Sequence, residues 1–282
     1  MSINVRTDVA SEALRIAAGA AGKVSSLEGV RAAEETLHGF SVTSVEIFDE
    51  TGAKALSKPI GKYFTLHLPD FTDRGGSGFP AAAQTVAELI RRCLPAKFDS
   101  ALIAALGNPD ITPDALGSLT AAYTIVTRHL KGAPGFDCFR SAAVCRTGVL
   151  GTTGIESAAQ IKLLAQALRP DCLIAVDALA GADAARLCRS VQICDSGIAP
   201  GSGVGNDREP LCRGTLGIPV IAVGVPTVID AAVFGVDGTE GLFVTPRNID
   251  SVVRRAGRLI AYGVNLALHD GLTVADIDML VG

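Results

Sequence analysis

The feature that most limits the fold of this chain is a series of short apolar runs that alternate with amphipathic stretches. The runs lie near residues 42–48, 63–68, 102–106, 142–144, 173–176, 191–193 and 220–223. Residues 81–93, 155–168 and 249–269 carry apolar side chains three and four positions apart, as amphipathic helices do. This alternation predicts an α/β fold, with a mainly parallel twisted sheet and helices on both faces. Because the chain shows no internal repeat or linker, we expect one domain over residues 1–282.

The composition excludes several classes of protein. Hydrophobic residues make up 48% of the 282 residues and charged residues 19%, which excludes disorder over most of the length. A formal net charge of −4 without a basic cluster argues against a general nucleic-acid-binding protein. Since no apolar stretch reaches the ~18 residues of a membrane span and the amino terminus lacks a secretory signal, we expect a cytoplasmic protein. The seven cysteines form no CxxC pair, which fits a reducing compartment.

Two aspartates, Asp114 and Asp177, are the candidate catalytic residues, because each lies just beyond a run that is predicted to be a strand. In open α/β sheets, ligands bind beyond the carboxyl ends of the strands. Two carboxylates that meet there can share a proton and activate water. The alternative is structural: Thr112 and Asp177 can each cap a helix, with Pro113 at the first helical position and Asp114 in the first turn. Spacing alone leaves both interpretations open.

Other candidate sites carry weaker signals. The glycine-rich loop 201–206 lacks the lysine of a phosphate-binding loop, and Ser202 within it lacks the GxSxG context of a nucleophile. Asp195 ends another apolar run and is either a third acid at the same sheet edge or a turn residue that accepts backbone hydrogen bonds. His129 is expected to be a structural partner rather than a metal ligand. A second glycine-rich loop, 70–78, is either a connector or a flap over a peptide site.

A set of ordered segments resembles the germination proteases, the spore endopeptidases that degrade small acid-soluble spore proteins. Any one segment is weakly specific, whereas the whole set, spread over residues 5–230, is highly specific. The segments are VRTD (5–8), GN (107–108), TPDALG (112–117), VTRHL (126–130), GVLG (148–151), TGIE (153–156), DALA (177–180), DSGI (195–198), PGSGVGN (200–206) and GVPTV (224–228).

The resemblance implies an atypical aspartic-type endopeptidase with a fold similar to that of the hydrogenase-maturation proteases. It places the catalytic aspartates in the TPDALG and DALA segments, which makes them Asp114 and Asp177. It also implies small acid-soluble spore proteins as the substrate, no cofactor, a homo-oligomer such as a tetramer, a location in the spore core and synthesis as a zymogen. In such a site, one carboxylate deprotonates the attacking water while the other, still protonated, polarises the scissile carbonyl.

The amino-terminal residues carry a further expectation. Only four residues precede Val5, where the family has a short leader. Residues 7–12, TDVASE, resemble the family's cleavage motif of an acid, a large apolar residue and Ala-Ser-Glu. Residues 1–12 are therefore expected to be a processing or pseudosubstrate region, and the alternative is an ordinary alanine-rich helix. Asp110, at a position where the family pattern has asparagine, either raises the pKa of Asp114 or faces solvent.

Two other functions fit the same residues. A metal-dependent protease of the maturation type would use Asp114, Asp177 and Asp195 as oxygen ligands of a divalent ion. A non-catalytic relative would bind spore proteins or peptides without turnover. Loss of activity after chelation of divalent ions would favour the metal-dependent protease over the aspartic-type mechanism. Binding without turnover would favour the non-catalytic relative.

Overall fold

A mixed β-sheet with helices on both faces organises the chain in the computed structural model, which describes residues 7–21, 27–71, 75–201, 208–235, 238–239 and 241–281. The strands within these ranges are β1 (Val30–Leu37), β2 (Phe40–Ile47), β3 (Gly61–His67), β4 (Ser100–Ala105), β5 (Ser141–Arg146), β6 (Cys172–Gly181), β7 (Ser190–Cys194), β8 (Val220–Asp230) and β9 (Phe243–Val244). The α-helices are α1 (Ala10–Ala21), α2 (Glu50–Leu56), α3 (Phe79–Cys93), α4 (Leu116–Ala121), α5 (Leu150–Thr153), α6 (Ser157–Leu168), α7 (Arg213–Leu216), α8 (Ile249–Leu268) and α9 (Val274–Val281).

The sheet has a parallel half and an antiparallel half. Its strand order is β1-β2-β3-β7-β8-β6-β4-β5, and β9 pairs with the end of β8. The neighbours β8, β6, β4 and β5 run parallel, whereas β1, β2, β3 and β7 join the sheet through antiparallel pairs. The predicted α/β class is confirmed, with a parallel core to which an antiparallel extension is added.

Successive side chains of the strands point to opposite faces of the sheet, and each face packs against its own set of helices. On one face, residues such as Ile103, Ile174 and Val223 are buried against α3 and α8. On the other face, Leu102 and Leu173 pack with α6, and α1 and α2 cover the antiparallel half. Because both faces are covered, the central strands are apolar at consecutive positions, as the sequence predicted. Among the described helices, none is both long and apolar enough to cross a membrane.

The parallel strands end at one edge of the sheet, and this edge positions the candidate site. Strand β4 stops at Ala105, whereas its neighbour β6 continues to Gly181 and stays paired with β8 over most of that length. The last contact between β4 and β6 is the hydrogen bond from the backbone N–H of Leu106 to the carbonyl oxygen of Val176, at 2.9 Å. Asp177 is the next residue of β6, so it lies where the sheet loses one of its strands.

Candidate active site

The loop that follows β4 places Asp114 at this edge. The chain turns at Gly107, whose φ of +92° is in the left-handed region that favours glycine. A Cβ atom at this position would lie 2.0 Å from the carbonyl oxygen of Asp114, so only glycine lets the loop return so closely. The backbone N–H of Asn108 then donates to Oδ2 of Asp114 at 2.8 Å. The Asp114 carboxyl group is thereby fixed beside the end of β4.

The structure corrects part of the capping interpretation of this loop. A short 3-10 helix, Thr112–Asp114, does begin here with Pro113 in its first turn. The residue that precedes it is Ile111, however, and no side chain caps the helix. The hydroxyl group of Thr112 instead donates to Asp250 of α8 at 3.0 Å, which ties the loop to that helix.

Asp177 lies within β6 and does not begin a helix, so the capping interpretation is wrong for this residue. The strand continues because β8 pairs with it, and Asp177 lies opposite Gly224. A Cβ atom at position 224 would lie 2.6 Å from Cγ of Leu179 and 2.8 Å from the carbonyl oxygen of Asp177, so the close pairing requires glycine. Asp177 is 5% exposed, and its Oδ1 accepts a hydrogen bond from the backbone N–H of Ala178 at 3.0 Å.

The environments of the two carboxyl groups differ. Burial raises the pKa of Asp177 well above its usual range, and the negative charges of Asp114 and Asp8 raise it further. Burial also raises the pKa of Asp114, but the hydrogen bond from Asn108 and the positive charge of Arg208 oppose this rise. Asp177 therefore keeps its proton to higher pH than Asp114 does. Two carboxyl groups with pKa values that differ in this way can supply one acid and one base.

A cavity of about 700 Å³ contains both carboxyl groups. Apolar side chains contribute much of its wall, among them Ile111, Val149 and Phe243. Two cationic residues, Lys58 and Arg208, also line it. An apolar cavity with a few convergent polar groups is the usual form of a site for an organic ligand, and its volume accommodates several residues of an extended peptide.

The structure separates the other acidic candidates from this cavity. Asp195 follows β7, and its Oδ1 accepts from the backbone N–H of Lys62 at 2.7 Å. Its neighbours Cys194 and Ser196 line the cavity, whereas Asp195 itself does not. The described structure therefore does not place Asp195 with Asp114 and Asp177, and the backbone N–H that it binds belongs to a distant strand and not to a local turn. Asp110 is exposed, and its backbone N–H donates to Oδ1 of Asn108 at 3.0 Å, so it faces solvent.

The remaining candidates do not join the two aspartates in the described structure. His129 is exposed in the short 3-10 helix Arg128–Leu130 and does not line the cavity. Gly201 does line it, but residues 202–206 of the same loop, including Ser202, lie outside the described residues. Residues 72–74 of the loop 70–78 also lie outside them. Among the described residues, no group of at least three His, Cys, Asp or Glu side chains is placed to hold a metal ion.

Sequence reasoning missed three charged residues of the cavity. Asp8 comes from the amino-terminal segment, whose residues 1–6 lie outside the described structure. Lys58 follows α2 and donates from Nζ to the carbonyl oxygen of Thr7 at 2.8 Å. Arg208 forms an ion pair with Glu156 at 3.7 Å. The VRTD segment was a signal for Asp8, whereas no local pattern marks either cation.

Comparison with known proteins bears on this site. Residues 9–240 match the family model described as germination protease. Relatives named germination protease include one from Clostridium perfringens (strain SM101), 35% identical over 98% of this chain and 98% of the relative. A second, from Caldanaerobacter subterraneus subsp. tengcongensis, is 35% identical over 99% and 98%. A third, from Oceanobacillus iheyensis, is 38% identical over 90% of this chain and 69% of the relative. Because the match covers most of the chain, the chain belongs to the germination protease family.

Proposed function

We propose that this chain is an endopeptidase that initiates the degradation of small acid-soluble spore proteins during spore germination, with Asp114 and Asp177 as its catalytic residues. Membership in the germination protease family supports a protease role in germination. The substrate and the aspartic-type mechanism are the parts proposed here. A protein substrate also suits the cavity, because its apolar wall can hold an extended chain.

One observation carries the proposed mechanism: two carboxyl groups from distant parts of the sequence line one cavity and differ in how strongly they hold a proton. Asp114 comes from the loop after β4, and Asp177 comes from β6. The negative charge of Asp114 raises the pKa of Asp177, so the two groups interact electrostatically. Like charges at close range favour a state in which the pair shares one proton.

In the proposed mechanism, Asp114 is the base and Asp177 is the acid. The Asp114 carboxylate takes a proton from a water molecule, whose oxygen attacks the scissile carbonyl carbon. Asp177 donates a hydrogen bond to the carbonyl oxygen and stabilises the charge that develops on it. When the tetrahedral intermediate collapses, the carbon–nitrogen bond breaks and the leaving amine takes a proton from the pair. The products are a carboxyl and an amino terminus, and the pair regains its single proton.

Three further proposals concern the state of the protein in the cell: a homotetramer, a location in the spore core and processing of residues 1–12. Light scattering of the purified chain tests the first, since a monomer would contradict it. Immunogold labelling of spores tests the second, since signal confined to other compartments would contradict it. Mass spectrometry of the chain before and after germination tests the third, since an unchanged amino terminus would contradict it.

The experiment that tests the proposed function is mass spectrometry of a small acid-soluble spore protein after incubation with the purified chain. The incubation is run with and without a chelator, and with the Asp177→Asn variant beside the wild type. We expect cleavage within the acid-apolar-Ala-Ser-Glu motif that resists the chelator and disappears in the variant. Loss of cleavage with chelator, restored by a divalent ion, would support the metal-dependent alternative. Stoichiometric binding without cleavage would support the non-catalytic one.

Arg208→Gln is expected to move the whole pH profile of kcat/KM to higher pH. The guanidinium group of Arg208 lowers the pKa of both Asp114 and Asp177, so its removal raises both values. In the proposed mechanism, activity falls at low pH because the base Asp114 becomes protonated, and it falls at high pH because the acid Asp177 loses its proton. Both limbs of the profile therefore move to higher pH. The control is Arg213→Gln, which removes a positive charge from an exposed position on α7. A profile that stays in place, or moves to lower pH, contradicts the assigned role of Arg208.

A further inference from the structure

The segment that carries Arg208 is fixed to two other parts of the chain. Leu211 is buried, and its backbone N–H donates to the carbonyl oxygen of Ile198 at 2.8 Å, while the N–H of Ile198 donates back to Leu211 at 3.0 Å. Glu209 forms an ion pair with Lys162 of α6 at 3.7 Å. Arg208 is therefore held at the wall of the cavity between the core and α6.

The guanidinium group of Arg208 keeps the capacity to bind an anion. Within the described ranges, its one ion pair is with Glu156, at 3.7 Å, which is longer than a hydrogen bond. The Arg208 side chain is 22% exposed, and it lines the cavity that contains the two aspartates. A guanidinium group has five N–H donors in a planar fork that fits both oxygens of a carboxylate. A ligand carboxylate in the cavity can therefore bind Arg208 with two hydrogen bonds.

The other cation of the cavity, Lys58, is already engaged, because its Nζ donates to the carbonyl oxygen of Thr7 at 2.8 Å. The positive charge of Arg208, in contrast, acts on both Asp114 and Asp177. Arg208 is thus the cation that lies within electrostatic reach of the aspartate pair. None of its described contacts involves residues 7–12, so processing of that segment leaves them in place.

We propose that Arg208 is a specificity-determining residue, whose guanidinium group binds an acidic side chain of the substrate close to the scissile bond. A pair of aspartates that shares one proton carries a negative charge, which repels a substrate carboxylate beside it. A cation at the same place offsets this repulsion, so the cavity can select an acidic side chain that its apolar wall alone would reject. The inference rests on the proposed function and deepens it, since it assigns the substrate's acidic side chain to one residue of the cavity.

The test uses a peptide that contains the acid-apolar-Ala-Ser-Glu motif and two series derived from it. In one series each acidic residue is replaced in turn with its amide, and in the other with lysine. The enzymes are the wild type, Arg208→Gln, Arg208→Lys and Arg208→Glu. Arg213→Gln is the matched control, because it removes the same charge at an exposed position outside the cavity. Each enzyme is assayed at its own pH optimum, and mass spectrometry identifies the scissile bond.

We expect the wild type to lose about 10–10²-fold in kcat/KM when the acidic residue close to the scissile bond becomes an amide, since a hydrogen-bonded charge pair is lost. Arg208→Gln should cleave the acidic and the amide peptides with similar kcat/KM. Arg208→Glu should prefer the lysine peptide. Arg208→Lys keeps the charge but not the planar fork, so it should retain only part of the preference. Arg213→Gln should keep the preference of the wild type.

The inference is wrong if Arg208→Gln keeps the wild-type ratio of the two kcat/KM values, because Arg208 would then act equally on acidic and neutral substrates. It is also wrong if no amide replacement affects the wild type. Circular dichroism checks the fold of each variant. If Arg208→Gln does not fold, Arg208→Lys decides the question, and an unchanged ratio in that variant overturns the inference.

Failure of the proposed function looks different from failure of this inference. If the wild type cleaves none of the peptides, the proposed function fails. The same peptides are then compared by fluorescence anisotropy, in which the preference appears as a ratio of Kd values. A ratio that favours the acidic peptide in the wild type and disappears in Arg208→Gln supports the role of Arg208, and a ratio near one in the wild type overturns it.

Discussion

Asp177→Asn is expected to reduce kcat by about 10²–10⁴-fold, the usual contribution of a general acid or base, and at the same time to stabilise the fold at neutral pH. Asparagine has the shape of a protonated aspartic acid but has no proton of comparable acidity to share with Asp114. The variant should still bind substrate, because the cavity wall is unchanged. Steady-state kinetics with a peptide that contains the cleavage motif measure the loss.

The gain in stability follows from the raised pKa of Asp177. The ordinary value is 3.8, and burial and Asp114 hold the folded-state pKa well above it. The unfolded chain therefore gives up this proton more readily, and the free energy of unfolding falls as pH rises from 3.8 through the folded-state pKa. An asparagine at this position cannot ionise, so the variant escapes this loss. The difference in urea unfolding should disappear below pH 3.8, where both states of the wild type are protonated.

Asp171→Asn is a control variant, because its expected change in stability at neutral pH has the opposite sign to that of Asp177→Asn. Hydrogen bonds from the backbone N–H of Asp99 and from the Ser100 side chain hold the pKa of Asp171 below its ordinary value. Its stabilising effect is therefore present above the unfolded-state pKa and is lost as pH falls through the folded-state value. Asp171→Asn should destabilise the fold at neutral pH and leave turnover unchanged. An Asp177→Asn variant that keeps its activity, or that is less stable than the wild type, would contradict the role of Asp177.

Gly107→Ala is expected to reduce both stability and activity. A φ of +92° alone costs a residue with a side chain about 1–3 kcal/mol. The new Cβ atom would also overlap the carbonyl oxygen of Asp114, 2.0 Å away, so the loop that carries the Asp114 carboxyl group must shift. A misplacement of about 1 Å can reduce the rate about 10²-fold. Urea unfolding and steady-state kinetics on the same preparation measure the two effects.

The Gly132→Ala variant distinguishes the effect of backbone strain from the effect of steric overlap with Asp114. Gly132 has a similar φ of +84°, but a Cβ atom there would have no neighbour within 4 Å. This variant should lose stability through backbone strain alone and keep its activity. Equal losses of activity in Gly107→Ala and Gly132→Ala would show that activity is lost through a general loss of stability and not through a shift of Asp114. Full activity in Gly107→Ala would show that the close return of the loop is unnecessary for the placement of Asp114.

Much of the site could be predicted from the sequence because its framework depends on local patterns. The apolar runs before Asp114 and Asp177 identified strands whose carboxyl ends meet, and the rule for parallel sheets then brought the two aspartates to one edge. The glycines at 107 and 224 belong to segments that the family resemblance had already singled out. Both positions are explained by close backbone approaches that only the structure reveals.

The errors have a common physical origin in contacts between distant residues. Asp177 was weighed as a helix cap because a helix was expected to follow it, yet pairing with β8 extends the strand to Gly181. Strand β1 was missed because its side chains are mostly exposed at the sheet margin, so no alternation marks it. Lys58 and Arg208 reach the cavity from segments without a recognisable motif. No local pattern reports such long-range neighbours.

The most direct test of the central claim is a comparison of kcat/KM for the wild type, Asp114→Asn, Asp177→Asn and the double variant. If the two carboxyl groups act as one unit, each single variant removes most of the rate enhancement and the double variant is no slower than the slower single one. Circular dichroism and urea unfolding confirm that all four proteins are folded. Near wild-type activity in either single variant, or losses that multiply in the double variant, would contradict the claim that Asp114 and Asp177 share the catalytic step.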